Sequence, residues 1–246
     1  EATGTADHAL VFAGAVASKV SISGGSFAQS GGAKSGISFG GAITGPGVSI
    51  SHATVTALVT AIEINNLQAP LTLTDVAASA PTAGNGLAIW AMTTATSLII
   101  SGGSFIGVER GIYLPLIDAS TTVALTSAVV QATGTSSHAL HFTGTIATTV
   151  SITGGTVTQN DAARVAICFD AAINAALTVS DVTVAAGSNA ILIPDLRATA
   201  TLKNVVSTSA TSNGLAVTGM TGATLISVVG GTYTGAHRGM FFAADD

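Results

Sequence analysis

Residues 3–27 read TGTADHALVFAGAVASKVSISGGSF, and residues 133–157 repeat this segment as TGTSSHALHFTGTIATTVSITGGTV, with 14 of 25 positions identical. The second halves match as well: NGLAI (85–89) and SGGSFIGVERGIYL (101–114) return as NGLAV (213–217) and VGGTYTGAHRGMFF (229–242). The chain of 246 residues is therefore a tandem duplication, with copies at about 1–130 and 131–246. No linker rich in proline or charge interrupts the pattern, so we expect a single domain over residues 1–246.

A shorter period of about 25 residues runs inside each copy. Self-similarity at such a period is the signature of a solenoid, in which each repeat buries its apolar face against its neighbours. Ten repeats begin with a small residue followed by an apolar–x–apolar sequence, at Ala9, Gly36, Ala61, Gly86, Gly111, Ala139, Ala166, Ala190, Gly214 and Gly239.

Every repeat contains two runs in which apolar and variable residues alternate, such as GISF at 36–39 and VSIS at 48–51. A period of two is typical of β-strands. Glycine pairs such as Gly24-Gly25 follow the second run and predict a bend, because glycine accepts positive φ without steric cost. A short third strand should follow each bend. Charged helix-forming residues are nearly absent, so we expect no helix.

These patterns together predict an all-β fold, namely a right-handed, single-stranded parallel β-helix (a solenoid) of about ten rungs with three short strands per rung. The coil itself supplies the crossovers that parallel strands need. Inward residues such as Ile62 should form dry columns, so a charge at Ile62 should destabilise several rungs. At outward Ser38, by contrast, we expect a charge to be nearly silent.

The charge content argues against two classes of protein. Only 8% of the residues are charged and the net charge is −5, so the chain lacks the basic face that phosphate binding needs, and nucleic acid is not an expected partner. Although 48% of the residues are hydrophobic, Ser and Thr interrupt every apolar run before it reaches the length of a membrane span. The sequence therefore predicts no transmembrane segment.

The rung motif, GI-x-F followed by a short loop and T-x-V-S-I-S-G-G-S-F, resembles right-handed parallel β-helix repeats. The Ala/Gly/Ser/Thr-rich segments ATGTSSHALHF (132–142), VSITGGTVTQND (150–161) and LTLTDVAASAPTAGNGLAI (71–89) are similar to the passenger domains of Gram-negative autotransporters, including the pertactin-like adhesins. The chain lacks the Arg-Gly-Asp tripeptide that some of those adhesins carry. The resemblance implies a secreted rod, or one exposed at the bacterial outer membrane, and leaves its ligand open.

A polysaccharide lyase or glycosidase is the first alternative, since other β-helices act on polysaccharides with the outside of their first sheet. We call the outward positions of that sheet the outer column: Val11, Ser38, Glu63, Ala88, Tyr113, His141, Cys168, Leu192, Ala216 and Phe241. Glu63 is its only carboxylate, whereas glycoside hydrolysis usually uses two. The other acidic residues are scattered and are interpreted as turn residues: Asp75, Asp118, Asp170, Asp181 and Asp195.

The sequence predicts no catalytic residue, cofactor or metal site. The single cysteine, Cys168, is assigned a structural role, because the pattern is not expected to place a histidine beside it.

Aromatic residues beside polar ones are the best indication of a binding surface. Trp90 should emerge at the edge of the first sheet, and Tyr113 should face outward one rung later. Exposed aromatic faces next to polar groups suit stacking on sugars or anchoring a protein partner. The alternative is that Trp90 only covers the loop beneath it. The candidate ligand-binding residues are Trp90, Tyr113, Glu63, Glu109, Arg110 and His141.

Two further features leave other functions open. Ser-x-Ser and Thr-x-Thr pairs such as 49/51 and 72/74 form a ladder outside the second sheet, which is compatible with ice binding, although Ile99 and Lys203 interrupt it. Neither end of the chain shows a polar cap, which predicts either a fragment of a longer β-helix or end-to-end stacking into filaments. The terminal Asp245-Asp246 pair would oppose stacking by charge repulsion.

The function expected from the sequence is therefore that of a non-enzymatic β-helical rod, secreted or on the cell surface. It would bind a carbohydrate or protein on a host or neighbouring cell, or associate with itself end to end. The alternatives are a polysaccharide-active enzyme and a structural filament or ice-binding solenoid.

Overall fold

The computed structural model describes residues 7–93, 96–115, 121–222 and 225–243. In these ranges the protein is an all-β parallel solenoid of about nine turns, with three strands per turn and no helix. The predicted fold class is thus confirmed. Three long sheets contain ten, nine and nine strands, so nine full turns are followed by the first strand of a tenth.

The first sheet contains the strands that begin each repeat. They are β1 (Leu10–Phe12), β4 (Ile37–Ile43), β7 (Ile62–Leu67), β10 (Asn85–Ile89), β13 (Arg110–Leu114), β16 (Leu140–Phe142), β19 (Ile167–Phe169), β23 (Ile191–Ile193), β27 (Asn213–Val217) and β30 (Arg238–Phe242). A separate two-stranded sheet is formed by β20 (Ala172–Ile173), which follows β19 in the chain, and β24 (Asp195–Leu196), which follows β23.

The second sheet contains the predicted VSIS-type runs. Its strands are β2 (Val20–Ser23), β5 (Val48–Ser51), β8 (Leu71–Thr74), β11 (Ser97–Ser101), β14 (Thr122–Thr126), β17 (Val150–Thr153), β21 (Leu177–Ser180), β25 (Ala200–Lys203) and β28 (Ile226–Val229).

The third sheet contains the short strands after the bends. Its strands are β3 (Ser26–Gln29), β6 (Thr54–Ala57), β9 (Ala77–Ala80), β12 (Ser104–Gly107), β15 (Val129–Ala132), β18 (Thr156–Gln159), β22 (Thr183–Ala186), β26 (Val206–Ser209) and β29 (Thr232–Gly235).

The core consists of the inward columns that the period of two predicts. Ile62 pairs in register with Ile37 on one side and Leu87 on the other, and all three side chains are fully buried. The phenyl rings of Phe142 and Phe169 stack with centroids 4.7 Å apart, one rung from the next. Like residues thus stack in successive rungs and fill the narrow interior of the solenoid.

The bends after the second sheet use positive φ, as predicted. Gly102 and Gly103 have φ of 70° and 79°, and an added Cβ at Gly103 would lie 2.3 Å from the carbonyl oxygen of Val76. Asp75 and Asp181 adopt φ of 50° and 56° at the equivalent bends that lack a glycine pair. Their interpretation as turn residues is therefore confirmed.

The expectation that outward positions of the first sheet are exposed is wrong along much of the sheet. Ser38 is only 5% exposed, and Ala88 and Ala216 are buried. The physical reason is that each small residue lies between larger ones: Ser38 pairs with Val11 and Glu63, and Ala88 pairs with Glu63 and Tyr113 on the neighbouring strands. Ser38 lies in a cavity whose walls include Glu63 and Lys34, so a charge at Ser38 is not expected to be silent.

The described part of the chain contains no helix with the length and hydropathy that a membrane crossing requires.

Candidate ligand-binding site

Trp90 and Tyr113 form an aromatic shelf on the outer face of the first sheet. Their ring centroids lie 5.1 Å apart at an angle of 51°, and Trp90 is 46% exposed. Trp90 immediately follows β10, and Tyr113 is the last residue but one of β13, the next strand of the sheet. The sequence therefore placed both residues correctly, and the structure brings them into contact.

Glu63 fixes the indole of Trp90. Its Oε1 accepts a 2.9 Å hydrogen bond from Trp90 Nε1, and its Oε2 accepts a 2.5 Å hydrogen bond from the hydroxyl of Ser35. Both carboxylate oxygens are thus engaged, one with the indole of the shelf and one with Ser35. An aromatic side chain that is held in this way presents its free face to solvent in one orientation.

A cavity of about 410 Å³ opens beside Trp90. Its lining is mixed: apolar Val11, Ala33 and Val59 lie beside charged and polar groups, and Glu63 is the only carboxylate among the described residues around it. Its size falls in the range of small-molecule sites, roughly 300–1,000 Å³. The principal polar lining residues are His8, Lys34, Ser35, Ser38, Glu63 and Asn65.

Arg110 connects the aromatic shelf to the next rung. Its guanidinium carbon lies 4.8 Å from the ring centroid of Tyr113, and its Nε donates a 3.0 Å hydrogen bond to Nδ1 of His141. Glu109 pairs with Arg110 at 3.3 Å. In the second copy Arg238 lies 4.9 Å from the ring centroid of Phe241, so both copies contain this cation–aromatic contact.

All six predicted binding residues therefore belong to one connected network of side-chain contacts. The hydrogen bonds and ring contacts run from Glu63 through Trp90, Tyr113 and Arg110 to His141, with Glu109 at the side. His141 differs from the expectation of an exposed residue, since it is only 6% exposed and serves as a partner of Arg110 beneath the surface.

The expectation that no histidine lies beside Cys168 is wrong. Strands β16 and β19 pair His141 directly with Cys168. Asp170 joins them: its Oδ2 lies 2.8 Å from His141 Nε2, and its Oδ1 accepts a 3.5 Å hydrogen bond from the Cys168 thiol. Asp170 lies in the exposed turn after β19, as expected, and its contacts with His141 and Cys168 are an additional role that the sequence did not predict.

His138 completes this group, which we call the Cys168 cluster: His138, His141, Cys168 and Asp170. The two imidazole rings lie edge to face with centroids 4.8 Å apart, and Nδ1 of His138 accepts a 3.2 Å hydrogen bond from the backbone N–H of Val165. One side-chain donor atom from each of the four residues lies within 4.8 Å of the others.

Burial sets the protonation of the cluster. Burial, together with the nearby His141, lowers the pKa of His138 to about 4. Burial also lowers the pKa of His141, although Asp170 opposes this. Both imidazoles are therefore neutral at neutral pH. Burial also raises the pKa of the Cys168 thiol, and the carboxylate of Asp170 raises it further. A thiol that keeps its proton is a poor nucleophile.

The duplication offers an internal comparison for the cluster. In the first copy, His8 stands where the second has His138, and its Nδ1 accepts the same kind of backbone hydrogen bond, from Ser35 N–H at 3.1 Å. The other three residues differ, and the first-copy residues line the 410 Å³ cavity instead. The replacements are Val11 for His141, Ser38 for Cys168 and Gly40 for Asp170.

The remaining predicted features have mixed outcomes. Asp195 lies in strand β24, paired with Ala172, so its interpretation as a turn residue is wrong; its carboxylate pairs with Arg197 at 2.6 Å. Asp118, Asp245 and Asp246 lie outside the described residues. On the second sheet, the large exposed side chains of Ile99 and Val229 break the Ser/Thr ladder.

At the last described rung a hollow of about 390 Å³ is lined by Met220, Ile226, Val228 and Phe242. End-to-end stacking stays a prediction.

Comparisons with family models, with curated proteins and with solved structures found no match to this chain. The parallel β-solenoid is thus established by the structure itself.

Proposed function

We propose that this protein is a non-enzymatic β-solenoid that binds carbohydrate on the outer face of its first sheet, beside Trp90. One observation carries the proposal: an exposed indole is held by Glu63 and packed against Tyr113 beside a cavity with a mixed polar and apolar lining. Because the ring is already fixed, a ligand that stacks on it costs little additional side-chain entropy. The exposed face is therefore prepared for binding.

Carbohydrate matches this surface better than other ligands. A sugar ring has an apolar C–H face that can stack on the indole, and hydroxyl groups that can exchange hydrogen bonds with Lys34 and Asn65 in the cavity wall. The chain has only seven Lys and Arg residues and a net charge of −5, which disfavours polyphosphate ligands.

The proposal includes binding without cleavage. Glycoside hydrolysis usually uses two carboxylates, and Glu63 stands alone among the described residues of the cavity. Moreover, both of its oxygens already accept hydrogen bonds, from Trp90 and Ser35. We assign Glu63 to positioning the indole, and we expect it to transfer no proton to a substrate.

We further propose that the protein acts outside the cell or on the bacterial surface, in the manner of an adhesin or an autotransporter passenger domain. The parallel β-solenoid and the Ala/Gly/Ser/Thr-rich repeats, which resemble such passengers, support this. The partner would be a glycan on a host cell or a neighbouring cell.

A glycan array tests the proposal with three proteins: the unchanged chain, Trp90→Ala and Thr218→Ala. Thr218 is the matched control, since it occupies the position of Trp90 in the second copy. We expect a defined set of glycans to be retained by the unchanged chain and by Thr218→Ala. Trp90→Ala should lose about 2 kcal/mol, roughly thirtyfold in affinity, as expected for an aromatic anchor.

The other outcomes overturn the proposal in different ways. Retention that is equal in all three proteins would place the site elsewhere. Release of shortened glycans would make the protein an enzyme, and the absence of any retained glycan would favour a structural or self-associating role.

A further inference from the structure

We propose that the Cys168 cluster is a binding site for a divalent transition-metal ion, with Zn²⁺ as the best match. His138, His141, Cys168 and Asp170 supply two imidazoles, one thiol and one carboxylate. Zinc is typically bound by four such nitrogen, sulfur and oxygen ligands in a tetrahedron. Mg²⁺ and Ca²⁺ prefer sites built from oxygen, so the thiol and the two imidazoles argue against them.

The geometry needs only a small adjustment. Metal–ligand distances of about 2.0–2.3 Å imply ligand atoms roughly 3.3–3.8 Å apart in a tetrahedron. The four donor atoms already lie within 4.8 Å of one another. A contraction of about 1 Å in the widest separation, which side-chain rotations can supply, would complete the site.

The charges also balance. Zn²⁺ carries two positive charges, which the Asp170 carboxylate and a Cys168 thiolate would neutralise. A bound ion deprotonates a coordinating thiol even where burial otherwise keeps the proton on sulfur. Cys168 is 2% exposed, so an uncharged metal complex suits its surroundings better than a bare thiolate. One thiol proton is released to solvent for each ion bound.

Arg110 should compete with the metal. Nε2 of His141, which now faces Asp170, would become the ligand atom, so the ring proton would move to Nδ1. The new Nδ1–H of His141 would then face the Nε–H of Arg110, which donates to Nδ1 in this structure, so two donors would oppose each other. If His138 also binds the metal, its Nδ1 can no longer accept the hydrogen bond from the backbone N–H of Val165. Metal binding therefore has to displace Arg110, and removing Arg110 should strengthen it.

The duplication supplies substitutions that this fold already accommodates. Replacing His141 by Val, Cys168 by Ser and Asp170 by Gly would rebuild in the second copy the residues of the first. The loss of metal binding in this triple variant can then be separated from unfolding, because the first copy carries the same residues in an intact strand pair, β1 with β4.

A cobalt titration of the chelator-treated full chain tests the inference. We expect one equivalent of Co²⁺ to bind with a thiolate-to-metal charge-transfer band and the strong visible bands of tetrahedral Co²⁺. Zn²⁺ should displace Co²⁺, because it binds such ligands more tightly. Cys168→Ser should remove the charge-transfer band, and the triple variant should bind no metal. Arg110→Ala should raise the affinity by about tenfold, as expected for a change next to the ligands.

Three results would overturn the inference: no bound Co²⁺, an unchanged spectrum in Cys168→Ser, or equal binding by the triple variant. Weaker binding in Arg110→Ala would contradict the proposed competition. Glycans play no part in this titration, so its outcome is independent of the proposed carbohydrate binding. His8→Ala, at the position equivalent to His138, serves as the control that should leave metal binding unchanged.

Discussion

Replacing Ile62 by Ala should destabilise the solenoid by about 3–4 kcal/mol. The substitution removes three carbon atoms from a fully buried side chain, which at about 0.8 kcal/mol per group gives a transfer loss of about 2.4 kcal/mol. Ile37 and Leu87 lie directly above and below, held in place by parallel strand pairing. The space can therefore collapse only in part, and the remaining cavity adds about 1 kcal/mol or more.

Urea denaturation followed by circular dichroism measures this loss. Thr72→Ala on the outer face of the second sheet is the control, because Thr72 is only half-buried and a substitution there should change stability by about 0.5 kcal/mol or less. Equal shifts of the two midpoints would refute the assigned inward and outward faces. A loss well below 2 kcal/mol at Ile62 would refute the rigid stacking of rungs.

Two further predictions concern a bend and the buried thiol. Gly103→Ala should lower the free energy of unfolding by about 1–3 kcal/mol, because φ is +79° and the new Cβ would meet the carbonyl oxygen of Val76. Gly14→Ala, with open space around it, is the control and should change the urea midpoint little. Equal midpoints for the two variants would contradict the strained bend. Cys168 in the metal-free folded protein should react with iodoacetamide far more slowly than in urea, because burial raises the pKa of the thiol and shields the sulfur. Mass spectrometry measures the two rates, and equal rates would contradict the buried position of Cys168.

The strands and bends could be predicted from the sequence because they depend on local pattern. The VSIS run at 48–51 matches β5, since alternation and a following bend define a strand without reference to distant residues. The repeat length then fixes which strands are neighbours. For the same reason Trp90 and Tyr113 could be assigned to adjacent rungs.

The Cys168 cluster shows what the pattern leaves out. The repeat of 27 residues places His141 beside Cys168, and this pairing could have been found from the register alone. Asp170, however, lies one residue beyond β19, and His138 lies in the turn before β16. Their approach depends on side-chain direction and on how the loops fold over the sheet, which a period of two does not specify.

The link between Glu63 and Trp90 was hidden for a related reason. Backbone register pairs Glu63 with Ala88, and only the length of the indole brings Trp90 Nε1 to the carboxylate. A period of two also leads one to treat every outward residue as exposed. This fails at Ser38 and Cys168, which are buried and pair with larger residues on both neighbouring strands.

The most direct test of the central claim is a fluorescence titration with a glycan retained on the array. Trp90 is the only tryptophan in the chain, so the indole emission reports from the proposed site alone. We expect a saturable change in emission, with the glycan recovered at unchanged mass. Binding that leaves the emission of Trp90 unaltered, or a glycan recovered in shortened form, would contradict the account.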